Sequence, residues 1–309
     1  LELVVLLDEL GFSEAWIGEH HSSGWENIAA PDVFIAAAAE RTTHIRLGTG
    51  VLQLGLHHPL VALDRMIFLD HLTLGRASFG MGVGGGIRSG LTVFGLDHEI
   101  AGRRLQESID AMLTLLESQE PVSIKSDWFE LRDAVLQIRP YTEPHMPVAM
   151  ASAHPVNVEL MGRLGGSVLL GGGAGLVPDV WSHLQAGAAK AQRDASREQI
   201  MMSTVLHLAA TTTEAGDGFR EGAISEFYEF QVGWNKRPEP KGGPDDWYEG
   251  YVRRSIIGSP HDAIEKIDEM NERAGGVGGF IFMTRDWPSP EAQRQTWRLF
   301  AEEVAPHFT

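Results

Sequence analysis

Short apolar segments alternating with segments of helical period predict an α/β fold, a parallel sheet covered by helices. Two further observations support that class. The alternation runs from one end of the 309 residues to the other, and no internal repeat, low-complexity tract or composition break marks a second domain. Residues 1–309 are therefore expected to form one domain. Hydrophobic residues at 43% and charged residues at 22% also match a globular chain with a sizeable core.

The elements follow in order. Residues 1–10 have helical spacing and stop at Gly11. A barrel opens on a strand, so an opening strand and loop are expected ahead of Leu1. Residues 14–18 read as a short buried strand, and Pro31 opens an alanine-rich helix over 31–41. Residues 45–52 form the next strand and 59–70 an amphipathic helix. Residues 77–83 form a third strand, which runs into a glycine-rich loop. The helix over 99–118 places Leu105, Ile109, Met112, Leu113 and Leu116 on one face.

Residues 128–138 have mixed strand character and form a small excursion. The alternation resumes with strands at 148–151, 168–170 and 201–210 and helices at 156–164, 180–195 and 213–230. Residues 232–249, interrupted by prolines and paired glycines, read as the longest irregular loop. Ser259 and Pro260 supply an N-cap and a first helical residue for a helix through 273. A strand at 279–283 and a helix at 290–304 complete the chain. These are seven strands, and the expected opening strand makes eight, the count of a (β/α)8 (TIM) barrel. An open doubly wound sheet shares the same alternation.

Charge narrows the partners. With 25 Lys and Arg against 42 Asp and Glu, the net charge is −17, which argues against nucleic acid or an anionic membrane. A phosphate can still be held locally by backbone N–H groups. The absence of cysteine removes disulfides, thiolate metal sites and thiol nucleophiles, and it agrees with a cytoplasmic location. No apolar run is long enough to span a bilayer.

In a barrel, chemistry belongs just after the C-terminal ends of strands, and four segments stand there. Glu19-His20-His21 follows the first strand; neighbouring side chains alternate in direction, so one imidazole at most enters the mouth, as acid or base or as a backbone-bonded loop residue. A second pair, His57-His58, raises zinc, but no recognised ligand spacing accompanies it, so no metal is expected. Leu47 to Leu52 carries glycines that either admit a planar ligand to the backbone or simply end a strand. Gly80, Gly82 and Gly85 match a dinucleotide pattern, yet neither the immediate helix nor the distant acidic residue follows, so the segment reads as a loop with backbone donors. Ala151 to Asn157 lies between strand and helix, where consecutive N–H groups and the helix dipole suit an anion, while Ser152 serves equally as a cap.

These segments also carry a resemblance. Gly18-Glu19-His20-His21, Arg46 to Val51, His58-Pro59, Leu69-Asp70, Gly75-Arg76, Phe79-Gly80, Phe94 to Asp97, Pro147-Val148-Ala149 and Gly258-Ser259-Pro260 resemble, in this order, the bacterial-luciferase-like flavin monooxygenases. Within that family the chain is most similar to the limonene- and alkanal-monooxygenase-like members. The resemblance spans nearly the whole chain, strongest over 11–165 and weakest over 211–250.

It implies a flavin-binding barrel that uses reduced FMN and O2 to oxidise a small apolar substrate (an aldehyde, a ketone or a terpene-like alkene) through a C4a-(hydro)peroxyflavin. His20 matches the family's catalytic histidine. Gly50 and Val51 match the place where a non-proline cis peptide supports the flavin. Ala153, His154 and Asn157 fall where the phosphate is held, although the side chains there differ from the luciferase pattern. Val83 stands where that pattern has a phosphate-binding arginine, a part that falls to Arg88 in the loop. Trp25, Leu54, Leu56 and Trp234 are candidates for a dry pocket. The implied partners are a separate flavin reductase and a second copy of the chain in a homodimer. An F420-dependent oxidoreductase and a non-catalytic flavin-binding subunit share the fold and remain the alternatives.

Overall fold

The computed structural model describes residues 1–22, 24–84, 90–285 and 287–308. Arg88, with Gly85, lies outside the described residues. Contacts divide the chain into two units, residues 1–8 with 13–149 and residues 9–12 with 150–309.

In the first unit, α1 (Glu2–Glu9) precedes β1 (Glu14–Ile17), and α2 (Pro31–Ala39) leads to β2 (Arg46–Thr49) and β3 (Leu52–Gln53). Then come α3 (Pro59–Leu72), β4 (Ala77–Gly82) and α4 (His98–Glu117). A hairpin of β5 (Val122–Lys125) and β6 (Glu130–Ala134) is the excursion, antiparallel as its short connection requires. β7 (Val148–Met150) follows it. β1 pairs with β2 and β2 with β4, all parallel. Proline occupies the first turn of α2 and α3, where its missing N–H costs nothing. On α4 the large buried apolar residues are Leu105, Ile109, Met112 and Leu115, while Leu113 and Leu116, expected on that face, are only half-buried.

The strand expected over 45–52 is two strands. Leu47 pairs with Ala77, but Leu52 pairs with Met81, so the β2–β3 side carries one residue more than β4 over the same stretch. Such an extra residue is a bulge, which bends a strand and re-aims its side chains. It sits at Gly50-Val51, whose peptide is cis. Thr49 patches the interrupted ladder: its hydroxyl donates to the Gly80 carbonyl at 2.7 Å and accepts from the Gly80 N–H at 3.0 Å. Only glycine fits at position 80, since a Cβ there would lie 1.9 Å from the Thr49 carbonyl oxygen.

In the second unit, α5 (Pro155–Leu164), β8 (Ser167–Leu170) and α6 (Val177–Lys190) lead to β9 (Ile200–Leu208). After it come α7 (Thr212–Glu226), a π-helical turn over Phe227–Trp234, α8 (Gly243–Arg254), β10 (Ile256–Gly258), α9 (Pro260–Ala274), β11 (Gly279–Met283) and α10 (Pro290–Leu299). The long β9 is the centre, parallel to β8 at its start, to β11 along its middle and to β10 at its end. The expected cap of α9 is present: Ser259 and Asp262 form a reciprocal capping box with Pro260 in the first turn. Phe12 belongs to this unit, against Trp297 and Phe300 at 5.4 and 5.7 Å between ring centroids.

Two sequence expectations are corrected here. Residues 232–249 are not one irregular loop, because Pro244 starts α8 rather than interrupting it. The helix is held by aromatic packing, Phe227 stacking on Trp247 at 4.2 Å and Trp247 on Tyr251 at 5.0 Å, over a core of Val205, Phe219, Ala223 and Tyr248. The other is β10, a parallel strand absent from the sequence count. At three residues it is too short to show a period.

Candidate active site

β1 ends at Ile17, and the next residues distribute three functional side chains by strand alternation. Ile17 and Glu19 share a buried face, with the Glu19 residue only 2% exposed. A buried carboxylate must be paired, and this one is. Its Oε1 accepts from His57 Nε2 at 2.7 Å and from His21 Nε2 at 2.8 Å, while its Oε2 accepts from the Gln53 N–H at 2.7 Å. An ionised carboxylate only accepts, so both imidazoles carry their proton on Nε2. Burial by itself would raise the Glu19 carboxyl. The hydrogen bond and charge of His57, the Gln53 N–H and the His21 hydrogen bond outweigh it and hold the group below the usual carboxylate range. The Gln53 side chain closes the arrangement by donating from Nε2 to the Glu19 carbonyl at 2.7 Å.

His20 points the other way. Its main-chain N–H donates to Ile28 O at 2.9 Å, and its Nδ1 lies 3.1 Å from Glu26 Oε2, with 30% of the side chain exposed. With the carboxylate accepting at Nδ1, Nε2 is the basic nitrogen. That Nε2 lies over Gly18: a Cβ at position 18 would stand 2.9 Å from it and 3.5 Å from the Gly50 carbonyl oxygen. Residue 18 is therefore held to glycine by the imidazole above it. His20, Gly50 and Val51 are brought together at the bulge, as the sequence suggested, and His20 and His21 diverge. One imidazole from each of the two histidine pairs, His21 and His57, bonds to the same carboxylate.

Trp16 packs against both glycines of the second segment: a Cβ at Gly48 would meet its indole at 2.4 Å, and one at Gly50 would meet its Cβ at 2.7 Å. A Cβ at Gly82, in the third segment, would meet Val51 Cγ2 at 2.7 Å. One planar group against Gly48 is thus the chain's own Trp16. Leu54 is wholly buried in the core. The motif residues Asp70 and Arg76 are likewise structural: Asp70 accepts from the N–H and hydroxyl of Thr142, and Arg76 donates to the carbonyls of Ala39 and Ile45.

In the second unit, the start of α5 gathers Ala153, His154 and Asn157. Ala153 and His154 are exposed, and among the described residues the Ala153 N–H has no acceptor within the chain. Ser152 does not cap the helix in the usual way; His154 is the N-cap residue. The Ser152 hydroxyl instead accepts from the His154 N–H and from Asn157 Nδ2, each at 3.0 Å. Asn157 is buried and braces this turn from beneath. An exposed N–H at the positive end of a ten-residue helix suits a phosphate.

Glu19, His57, Gln53 and Glu26 were not assigned roles from sequence. The signal for Glu19 was present, since strand alternation places it beside Ile17 on a buried face, but its partners lie beyond local pattern.

A family model described as luciferase-like monooxygenase matches residues 1–277. Along its full length the chain is 37% identical to 4-hydroxyprotoasukamycin monooxygenase of Streptomyces nodosus subsp. asukaensis, covering 86% of that protein. It is 35% identical, again along its full length, to limonene 1,2-monooxygenase of Rhodococcus erythropolis, covering 80% of it. Among solved structures, the oxygenating constituent of 3,6-diketocamphane monooxygenase from Pseudomonas putida, a type II Baeyer-Villiger enzyme in complex with FMN, matches with a TM-score of 0.80 at 23% identity, over 99% of this chain and 92% of that one. That likeness is one of fold, and it bears out the α/β barrel class read from the alternation. The chain belongs to the luciferase-like monooxygenase family.

Proposed function

We propose that the chain is the oxygenating component of a two-component monooxygenase that takes reduced FMN from a separate reductase and oxidises a small apolar substrate with O2. The observation that carries this reading is His20, oriented by Glu26 and set over Gly18 at the end of a parallel strand, with the Gly50 carbonyl beside the same glycine. Bound reduced flavin supplies the activation of O2. The chain's contribution is to place a basic Nε2 where a proton is held or moved, with the Glu26 carboxylate fixing the tautomer and the ring orientation. Backbone N–H donation at Ala153 and the α5 dipole, with His154 beside them and Asn157 bracing the turn, are the phosphate-holding groups of the second unit.

The two relatives at 37% and 35% identity are monooxygenases, and one is named for limonene, an apolar alkene, while solved structures of F420-dependent enzymes share the fold at 20% identity or less. Alkenes therefore come first among substrates, ahead of ketones and aldehydes. The test is titration of the protein with FMN, riboflavin and F420, followed by oxygen uptake and product formation with reduced FMN and a panel of the three substrate classes. Uptake coupled to product supports the proposal. Selective binding of F420 identifies an F420-dependent oxidoreductase instead, and flavin binding without coupled uptake identifies a non-catalytic subunit. Replacing His20 with Ala is expected to slow turnover by about a hundredfold while FMN affinity holds. Undiminished turnover at saturating reduced flavin removes His20 from the mechanism.

A further inference from the structure

We propose that Glu19 is a positioning residue, a buried clamp that fixes the end of β1, which carries His20, to β3, which follows Gly50-Val51. The inference rests on the flavin reading above, because it makes Glu19 the brace of the surface offered to the ring. Its basis is the number of bonds that converge there. Both carboxylate oxygens are used, Oε1 by two imidazoles and Oε2 by the Gln53 N–H, and the Glu19 carbonyl receives the Gln53 side chain. Glu19 and Gln53 are thus joined twice, once through each side chain. His20 sits between two residues anchored in this way, which leaves its imidazole the opposite face.

Burying a carboxylate is costly even when it is paired, so the position is held by what the charge fixes in place. The charged and titratable groups around it are His21 and the His20–Glu26 pair on its own loop and His57 and His58 on the turn after β3, a turn to whose Gly55 carbonyl Arg104 of α4 donates at 3.3 Å. Three N–H donors converge on two acceptor oxygens, and that geometry demands a carboxylate.

Glu19→Gln tests this directly. An amide offers one acceptor oxygen and an NH2 group that only donates, so either the Gln53 N–H is released or His21 and His57 give up the Nε2 protons through which they donate to the carboxylate. Hydrogen exchange at the Gln53 amide and the Nε2–H resonances of His21 and His57 read that release without any flavin. FMN affinity, from quenching of flavin fluorescence with no turnover, is expected to weaken about tenfold, the effect of losing one charge-assisted hydrogen bond. His57→Gln, which keeps a donor, should retain FMN affinity within about twofold, whereas His57→Leu should weaken it as Glu19→Gln does. A clamp that only stabilises would lower the melting temperature in His57→Leu and leave the affinity of the folded protein unchanged, which overturns the proposal. Equal FMN affinity in Glu19→Gln and the parent overturns it as well. A parent that binds no FMN overturns the flavin reading itself, a separate outcome. Should Glu19→Gln fail to fold, the Gln and Leu pair at position 57 decides.

Discussion

The Glu19 carboxylate receives the His57 Nε2–H at 2.7 Å across 38 positions of sequence, one buried charge joining a strand end to the turn beyond its neighbouring strand. Because the folded Glu19 carboxyl lies below its ordinary value of 4.5, its contribution to stability is fully present above that value and is lost as pH falls through the folded value. Thermal melts of the parent and Glu19→Gln should therefore differ clearly at pH 7 and converge as the pH drops below the usual carboxylate range. A gap that persists undiminished into strong acid would show that the charge of Glu19 contributes nothing.

Gly18→Ala places a Cβ 2.9 Å from His20 Nε2, so the ring has to swing away from residue 18. Stability should change little, because the ring is partly exposed and can move. Turnover with saturating reduced FMN should fall by about tenfold, the scale of a misplaced proton-transfer group. Unchanged turnover would mean that the position of the imidazole over residue 18 is unimportant.

Ser152→Ala removes the hydroxyl that accepts from both the His154 N–H and the Asn157 amide. The turn ahead of α5 loses its brace, and two donors lose their acceptor. FMN should bind several-fold more weakly, while riboflavin, which lacks the phosphate, should bind as before. A parallel loss for both ligands, measured by fluorescence titration, would detach this turn from phosphate binding.

Two helical glycines give opposite outcomes. A Cβ at Gly187 of α6 would lie 2.0 Å from the Glu159 carbonyl oxygen of α5, so Gly187→Ala should separate two packed helices at a cost of about 3 kcal/mol or more. Gly216 of α7 has open space around its Cβ position, and Gly216→Ala should stabilise by about 0.5–1 kcal/mol through helix propensity alone. Denaturant melts check both; a neutral Gly187→Ala would contradict the close crossing.

The strand and helix order was legible because burial imposes periods of two and 3.6 on the side chains, and proline at first turns marks helix starts. Residues 232–249 were misread because Pro244 and the glycines there have the same letters whether they open a helix or break one. Only the aromatic stack of Phe227, Trp247 and Tyr251 decides between them. At the site, the text of residues 18–21 and 46–51 was enough to single out His20, Gly50 and Val51. The sequence by itself determined the class of fold and which strand ends carry polar groups, since both follow from local periodicity. Tertiary structure decided that Glu19, His21, His57 and Gln53 share one buried charge, and that Trp16 packs against Gly48. Hydrogen bonds and close contacts between distant segments have no local signature, because nothing in the energy of either segment alone registers the other.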